Sequence, residues 1–115
     1  MKRFAMMGCV VALAGCPAEA WDEAECPPGG TDLTYENFGQ RFMDRHCQYC
    51  HASFIEDRKG APSDYVFDTR EDVIEWIDHI YERSAGDNVS MPPGPEDPPE
   101  EEREQLKEWL ACGAP

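Results

Sequence analysis

The chain lacks an apolar run long enough to cross a membrane. Its longest, from Phe4 to Ala14, contains eleven apolar or small residues, whereas a helix needs about 20 to span the hydrocarbon core. Basic residues are also scarce, with 10 Lys and Arg against 24 Asp and Glu, and the formal net charge is −14. Such a surface repels nucleic acid and anionic lipid headgroups, so the composition argues against a nucleic-acid-binding protein.

The sequence also lacks a recognisable catalytic constellation. Paired carboxylates for acid–base chemistry, a nucleophile beside a base, and a glycine-rich phosphate loop do not stand out. The residue pattern therefore favours a protein that is not an enzyme.

The N-terminal residues have the pattern of a lipoprotein signal peptide. Lys2 and Arg3 precede the apolar run, which leads into Leu-Ala-Gly-Cys at residues 13–16. This tetrapeptide resembles the bacterial lipobox, in which the cysteine receives diacylglycerol and becomes the mature N-terminus after cleavage. We therefore expect a signal peptide over residues 1–15 and a lipid anchor on Cys16, in a protein exported to a bacterial membrane and facing the periplasm. The alternative is an ordinary secretory peptide cut elsewhere, with Cys16 as a spare thiol.

Removal of the signal peptide leaves 100 residues, which suffice for one small domain. We expect a lipidated acidic tether over residues 16–32, because this segment is polar and rich in proline and glycine. One domain should follow over residues 33–115. Pro17 rather than aspartate follows the lipidated cysteine, which by general lipoprotein sorting favours the outer membrane of a diderm host.

The hydrophobic pattern predicts an all-α domain with helices over residues 35–46, 70–81 and 99–113. Apolar residues recur three or four positions apart in each, which places them on one helix face. These residues are Phe38 and Phe42 in the first helix, Val73, Trp76, Ile77 and Ile80 in the second, and Leu106, Trp109 and Leu110 in the third. Thr34 and Thr69 are the expected N-caps of the first two helices.

The most informative segment is the motif C-x-x-C-H at residues 47–51. Two cysteines at this spacing capture the vinyl groups of one haem, and the histidine that follows ligates the iron. We therefore predict one covalently bound haem c, attached through Cys47 and Cys50 and ligated by His51. Met91, on a proline-rich loop 40 residues downstream, is the candidate for the second iron ligand. The alternatives are a zinc ion held by the motif with a further ligand, and Met91 as a hydrophobic plug.

Two histidines and a second methionine compete with Met91 for that position. His46 directly precedes Cys47, so its backbone is held on the proximal side and we expect a surface or helix-end role. His79 falls on the polar side of the second helix and should point to solvent. Met43 lies on the first helix, where core packing is expected.

The remaining cysteines predict a disulfide bond. Cys9 leaves with the signal peptide, Cys16 takes the lipid and the motif cysteines take haem, which leaves Cys26 and Cys112. In an oxidising exported compartment these two should pair and close a loop of about 86 residues. Two free thiols are the alternative.

These features resemble the class I cytochrome c family, and in particular its small haem-bearing lipoproteins, over most of residues 33–115. In the family a glycine lies eight residues before the first haem cysteine and packs against a leucine and an aromatic residue of the last helix. Gly39, Leu106 and Trp109 occupy these positions. The family also places an aromatic residue four positions before that cysteine, where this chain has Met43.

The resemblance implies a small fold of three or more helices around one haem. It also implies that a backbone carbonyl of Pro62 accepts a hydrogen bond from His51, and that Met91 is the distal iron ligand. Ligation by histidine and methionine raises the reduction potential relative to two histidines, because a thioether favours ferrous iron. Six-coordinate iron leaves no open position for a substrate.

We therefore expect a membrane-tethered carrier of single electrons, with a redox protein as its partner. Without Lys2 and Arg3 the formal net charge becomes −16, which favours a basic docking patch on that partner. A surface that is merely well solvated is the alternative. Two other functions stay open, namely a haem-based peroxidase or gas sensor with an open or labile distal site, and a zinc-binding structural lipoprotein.

Overall fold

The computed structural model describes residues 19–94 and 97–115. The predicted signal peptide and the lipidation site Cys16 lie outside the described residues. The described chain is helical and contains no strand, which confirms the all-α prediction. Its α-helices are α1 (Gln40–His46), α2 (Gln48–His51), α3 (Arg70–Glu75), α4 (Ile77–Ser84) and α5 (Glu100–Ala111). None of the described helices combines the length and apolar character needed to cross a bilayer.

The first predicted helix forms where it was expected, because its start is capped. The Thr34 hydroxyl accepts a hydrogen bond from the Asn37 backbone N–H at 3.0 Å, and the Asn37 side chain accepts one from the Thr34 N–H at 2.8 Å. This reciprocal pair satisfies N–H groups that a helix start would otherwise leave unpaired. A π-helical turn, Tyr35–Gly39, then leads directly into α1.

Trp76 interrupts the second predicted helix, which the structure divides into α3 and α4. The backbone of Trp76 has φ −107° and ψ 22°, outside the helical region. Its ring packs on Tyr65, with ring centroids 4.3 Å apart, and this contact with the preceding loop is not visible in helical periodicity. The expected N-cap Thr69 is confirmed, and α4 continues to Ser84 rather than ending near residue 81.

The π-helical turn and α1 together form the first helical segment, residues 35–46. The hydrophobic core lies between this segment, α4 and α5. Its members are Phe38, Phe42, Met43, Phe67, Val73, Ile80, Tyr81, Ala85, Leu106, Trp109, Leu110 and Ala114. Gly39 is buried where the first segment meets the Trp109 ring. A Cβ atom at Gly39 would lie less than 3.0 Å from Cη2 and Cζ2 of that ring. Only glycine therefore allows the first and last helical segments to approach this closely.

The described part of the expected tether packs on the domain. The Trp21 ring meets the Tyr81 ring edge-on, with centroids 5.4 Å apart. The Glu19 carboxylate lies 2.8 Å from Lys107 Nζ, and the Glu19 backbone exchanges two hydrogen bonds with the Asn88 side chain. Residues 19–24 thus differ from the free tether expected from composition, because Trp21 finds an apolar surface on α4. The predicted disulfide is confirmed, since Cys26 and Cys112 are bonded.

Candidate functional site

The motif residues come together because the chain turns once more after α1. Cys47 ends α1, and its carbonyl accepts hydrogen bonds from the backbone N–H groups of Cys50 at 3.2 Å and His51 at 3.0 Å. Side chains three and four positions apart in a helical turn lie on one side of it. Both motif thiols are partly buried and free of disulfides. The turn therefore presents two thiols and one imidazole from the same short segment.

His51 is held by a backbone carbonyl and an aromatic ring. Its Nδ1 lies 2.7 Å from the Tyr65 carbonyl oxygen, and its ring stacks on Phe67 with centroids 4.3 Å apart and planes inclined by 17°. A carbonyl only accepts, so Nδ1 carries the proton and Nε2 keeps its lone pair. Burial lowers the pKa of His51, although the hydrogen bond to Tyr65 opposes that shift. The neutral imidazole, which is the form that ligates metals, is favoured.

His51 bonds the carbonyl of Tyr65 and not that of Pro62, so the expectation for Pro62 was wrong. The Pro62 carbonyl instead accepts a hydrogen bond from Arg58 Nη2 at 3.0 Å. The Arg58 side chain also donates to the carbonyls of Tyr65 at 3.0 Å and Ala52 at 2.9 Å. By bonding these three carbonyls, this guanidinium folds the loop after the motif. The carbonyl that contacts His51 is therefore that of Tyr65, three residues after Pro62. A backbone carbonyl can come from any residue, so the side-chain pattern did not indicate Tyr65.

The Cys47 thiol is not an activated nucleophile. Burial raises the pKa of Cys47 to about 12, and the positive charge of Arg103 only partly opposes this shift. The thiol is therefore protonated at neutral pH, whereas nucleophilic cysteines have a lowered pKa.

Met91 lies on the loop between α4 and α5. Its side chain is 36% exposed. Its backbone N–H donates to the Arg83 carbonyl at 2.9 Å, and its own carbonyl accepts from Arg103 Nη1 at 2.9 Å. The loop is thus held at Met91 from two helices. Sequence patterns did not indicate Arg103, which is charged yet buried on the inner face of α5.

The two other histidines have partners of their own. His46 Nε2 lies 3.1 Å from Glu102 Oε1 on α5, in keeping with the helix-end role expected for it. His79 Nδ1 lies 2.9 Å from Asp78 Oδ1, and the side chain is 42% exposed. The His79 ring also lies beside the rings of Trp76 and Tyr65, with centroids 5.4 Å and 5.6 Å away, so this residue is half-buried rather than wholly in solvent.

Large apolar side chains are exposed around the motif and the Met91 loop. Five large apolar residues are exposed in the described chain, and four of them lie in these two segments. They are Tyr49 and Phe54, next to the motif, and Val89 and Met91 in the loop. Exposed apolar side chains in both segments are available to contact an apolar group. The free thiols of Cys47 and Cys50 and the imidazole of His51 are the donor set that covalent haem attachment uses.

Across residues 19–94 and 97–115, no three or more His, Cys, Asp or Glu side chains are grouped to hold a metal ion. Covalent haem does not require such a group, because the porphyrin supplies four nitrogen ligands itself and one histidine suffices on the proximal side. Comparison with known proteins adds no assignment, since no family, no curated protein and no solved structure matches the chain.

Proposed function

We propose that this chain is a membrane-tethered, mono-haem c-type cytochrome that carries single electrons. Haem c would be attached through Cys47 and Cys50, with His51 and Met91 as the iron ligands. The observation that carries the proposal is the 2.7 Å contact between His51 Nδ1 and the Tyr65 carbonyl. It leaves the lone pair of Nε2 free, on a turn that also bears two free thiols. Metal-bound histidines are oriented by this kind of contact in other proteins.

The packing of the first and last helical segments supports a class I cytochrome c-like fold. The resemblance places a glycine of the first helix against an aromatic residue of the last, and Gly39 lies against the Trp109 ring in this way. Leu106, the other expected contact residue, is fully buried in the same core. The confirmed disulfide adds support for an exported protein, since disulfides persist in oxidising compartments.

The chain's own residues would hold and orient the cofactor. When bound, haem supplies an iron that gains or loses one electron at a time. Cys47 and Cys50 would hold the porphyrin to the motif turn through thioether bonds, and the Tyr65 carbonyl with the stacked Phe67 ring sets the plane of the His51 imidazole. Apolar contact with Phe67 also keeps water from one face of that ring. A dry, oriented ligand favours a fixed geometry in both oxidation states, which suits electron transfer.

The lipid anchor at Cys16 and the acidic surface complete the proposal. A lipid on the mature N-terminus holds the domain at a periplasmic membrane surface. A formal net charge of −16 after cleavage favours a redox partner that presents a basic patch, and it makes association faster at low ionic strength.

The partial exposure of Met91 favours one alternative function. A thioether that leaves the iron would open a position for peroxide or a diatomic gas, as in a haem-based peroxidase or sensor. Rapid binding of carbon monoxide to the reduced wild-type protein would support that alternative over electron transfer.

The test is expression with a cytochrome c maturation system, followed by a pyridine haemochrome assay and a haem stain after denaturing electrophoresis. We expect one covalent haem per chain in the wild type and none in the double variant Cys47→Ser, Cys50→Ser. Tyr49→Ala is the matched control, because Tyr49 lies between the two cysteines with an exposed ring, and it should keep its haem. A wild-type chain that matures without covalent haem would overturn the proposal.

A further inference from the structure

Arg103 is buried although it is charged. It is 3% exposed and lies on the inner face of α5 among apolar core residues. Arginine is rarely buried unless its charge is held by partners, because removing a guanidinium from water is costly. We therefore expect the guanidinium of Arg103 to have polar partners inside the protein.

The guanidinium of Arg103 bonds backbone carbonyls along the loop that carries Met91. Arg103 Nη1 lies 2.9, 3.1 and 2.9 Å from the carbonyl oxygens of Ser84, Asn88 and Met91, and these three acceptors share its two N–H groups. The Arg103 backbone carbonyl accepts a further hydrogen bond from the Gly86 N–H at 2.9 Å. These four contacts span the whole stretch from the end of α4 to Met91.

The charge of Arg103 also acts on two further groups, Asp97 and Cys47. Its Nη2 lies 3.8 Å from Asp97 Oδ1, whose side chain is 62% exposed, so solvent screens that pair. Arg103 is also near enough to Cys47 for its charge to act on the thiol.

We propose that Arg103 is a positioning residue for the distal iron ligand, holding the loop so that the Met91 thioether meets the haem iron. This inference rests on the proposed function. Ser84, Asn88 and Met91 contribute only backbone carbonyls to Arg103, so these contacts do not use the Met91 side chain. The Met91 side chain is thereby left to bind iron while the backbone behind it is fixed.

Loss of the guanidinium would release the loop without removing the haem. Each hydrogen bond from a charged donor changes an equilibrium by on the order of tenfold or more. The fraction of molecules with Met91 off the iron should rise by at least that factor. The sixth position would then open to exogenous ligands, while the thioether links and His51 stay in place.

The test compares holo wild type with Arg103→Gln, Arg103→Lys and the control Arg45→Gln. Arg45 is an exposed arginine of α1 whose Nη1 lies 3.8 Å from Glu102. The readouts are haem content, the far-UV circular dichroism spectrum, the near-infrared sulfur-to-iron band, and carbon monoxide binding by the reduced protein. For Arg103→Gln we expect unchanged haem content and helicity, a lost near-infrared band, and rapid carbon monoxide binding. Arg45→Gln should behave as wild type.

Arg103→Lys keeps the positive charge but lacks the planar guanidinium, and it should restore part of the band. If Arg103→Gln does not fold, Arg103→Lys decides the matter: a weakened band at wild-type haem content supports the inference, and a band of wild-type strength overturns it. A folded Arg103→Gln with an intact band also overturns it. A wild-type protein that lacks haem or the band would overturn the proposed function itself, which is a different result.

Discussion

Gly39→Ala tests the contact between the first and last helical segments directly. The added Cβ would meet the Trp109 ring at less than 3.0 Å, and that ring cannot easily move. Trp109 is fully buried, and its indole N–H donates to the Pro115 carbonyl at 3.1 Å. Overpacking of a rigid core costs about 1–3 kcal/mol, and the absence of space for a shift favours the upper end.

Helix propensity opposes this loss of stability. Gly39 has helical dihedrals, φ −58° and ψ −46°, so alanine would gain about 1 kcal/mol from its higher helix propensity. The net loss in the free energy of unfolding should therefore be about 2 kcal/mol. Urea unfolding followed by circular dichroism measures it as a lower midpoint with an unchanged slope. Gln40→Ala, at the next and exposed position, should change stability little.

A double-mutant cycle identifies the atoms responsible. Phenylalanine lacks the Cζ2 and Cη2 atoms of tryptophan that a Cβ at Gly39 would meet. In a Trp109→Phe background, Gly39→Ala should cost at least about 1 kcal/mol less than it does alone, because neighbouring residues couple. An alanine variant as stable as the wild type, or equal costs in both backgrounds, would show that this helix contact is not as described.

Met91→Ala should abolish the near-infrared sulfur-to-iron band of the holo protein and let the reduced form bind carbon monoxide, because it removes the proposed thioether ligand. A band that persists in this variant would remove Met91 from the iron. Trp21→Ala should lower the free energy of unfolding by about 1–3 kcal/mol, since its ring packs on Tyr81. The exposed neighbour Asp22 provides the control as Asp22→Ala, and equal stability of the two variants in urea would mean that this segment is a free tether.

Much of the fold follows from signals between near neighbours in sequence. The N-caps Thr34 and Thr69 bond groups three residues away, and Leu106 and Trp109 share a helix face through their spacing. These features were predicted correctly because they depend on the geometry of a single helical turn. The disulfide was predicted by elimination among six cysteines, and the structure confirms the pair.

Other features depend on contacts that no local pattern encodes. The break at Trp76 coincides with packing on Tyr65, in a loop that periodicity treats as featureless. The first described residues were expected to be free because their composition is acidic and polar. Instead the Trp21 ring packs on Tyr81 of α4, and Glu19 bonds Asn88 and Lys107, so contacts distant in sequence attach them to the domain.

By itself, the sequence determined the all-α class, the caps and apolar faces of the helices, and the grouping of Cys47, Cys50 and His51 in one turn. Each of these depends on residues within about four positions of one another. Only the tertiary structure decided that Tyr65 rather than Pro62 meets the histidine, and that Arg103 is buried behind the Met91 loop. Both contacts use backbone carbonyls, which every residue carries, so their partners are selected by the path of the chain and not by side-chain identity.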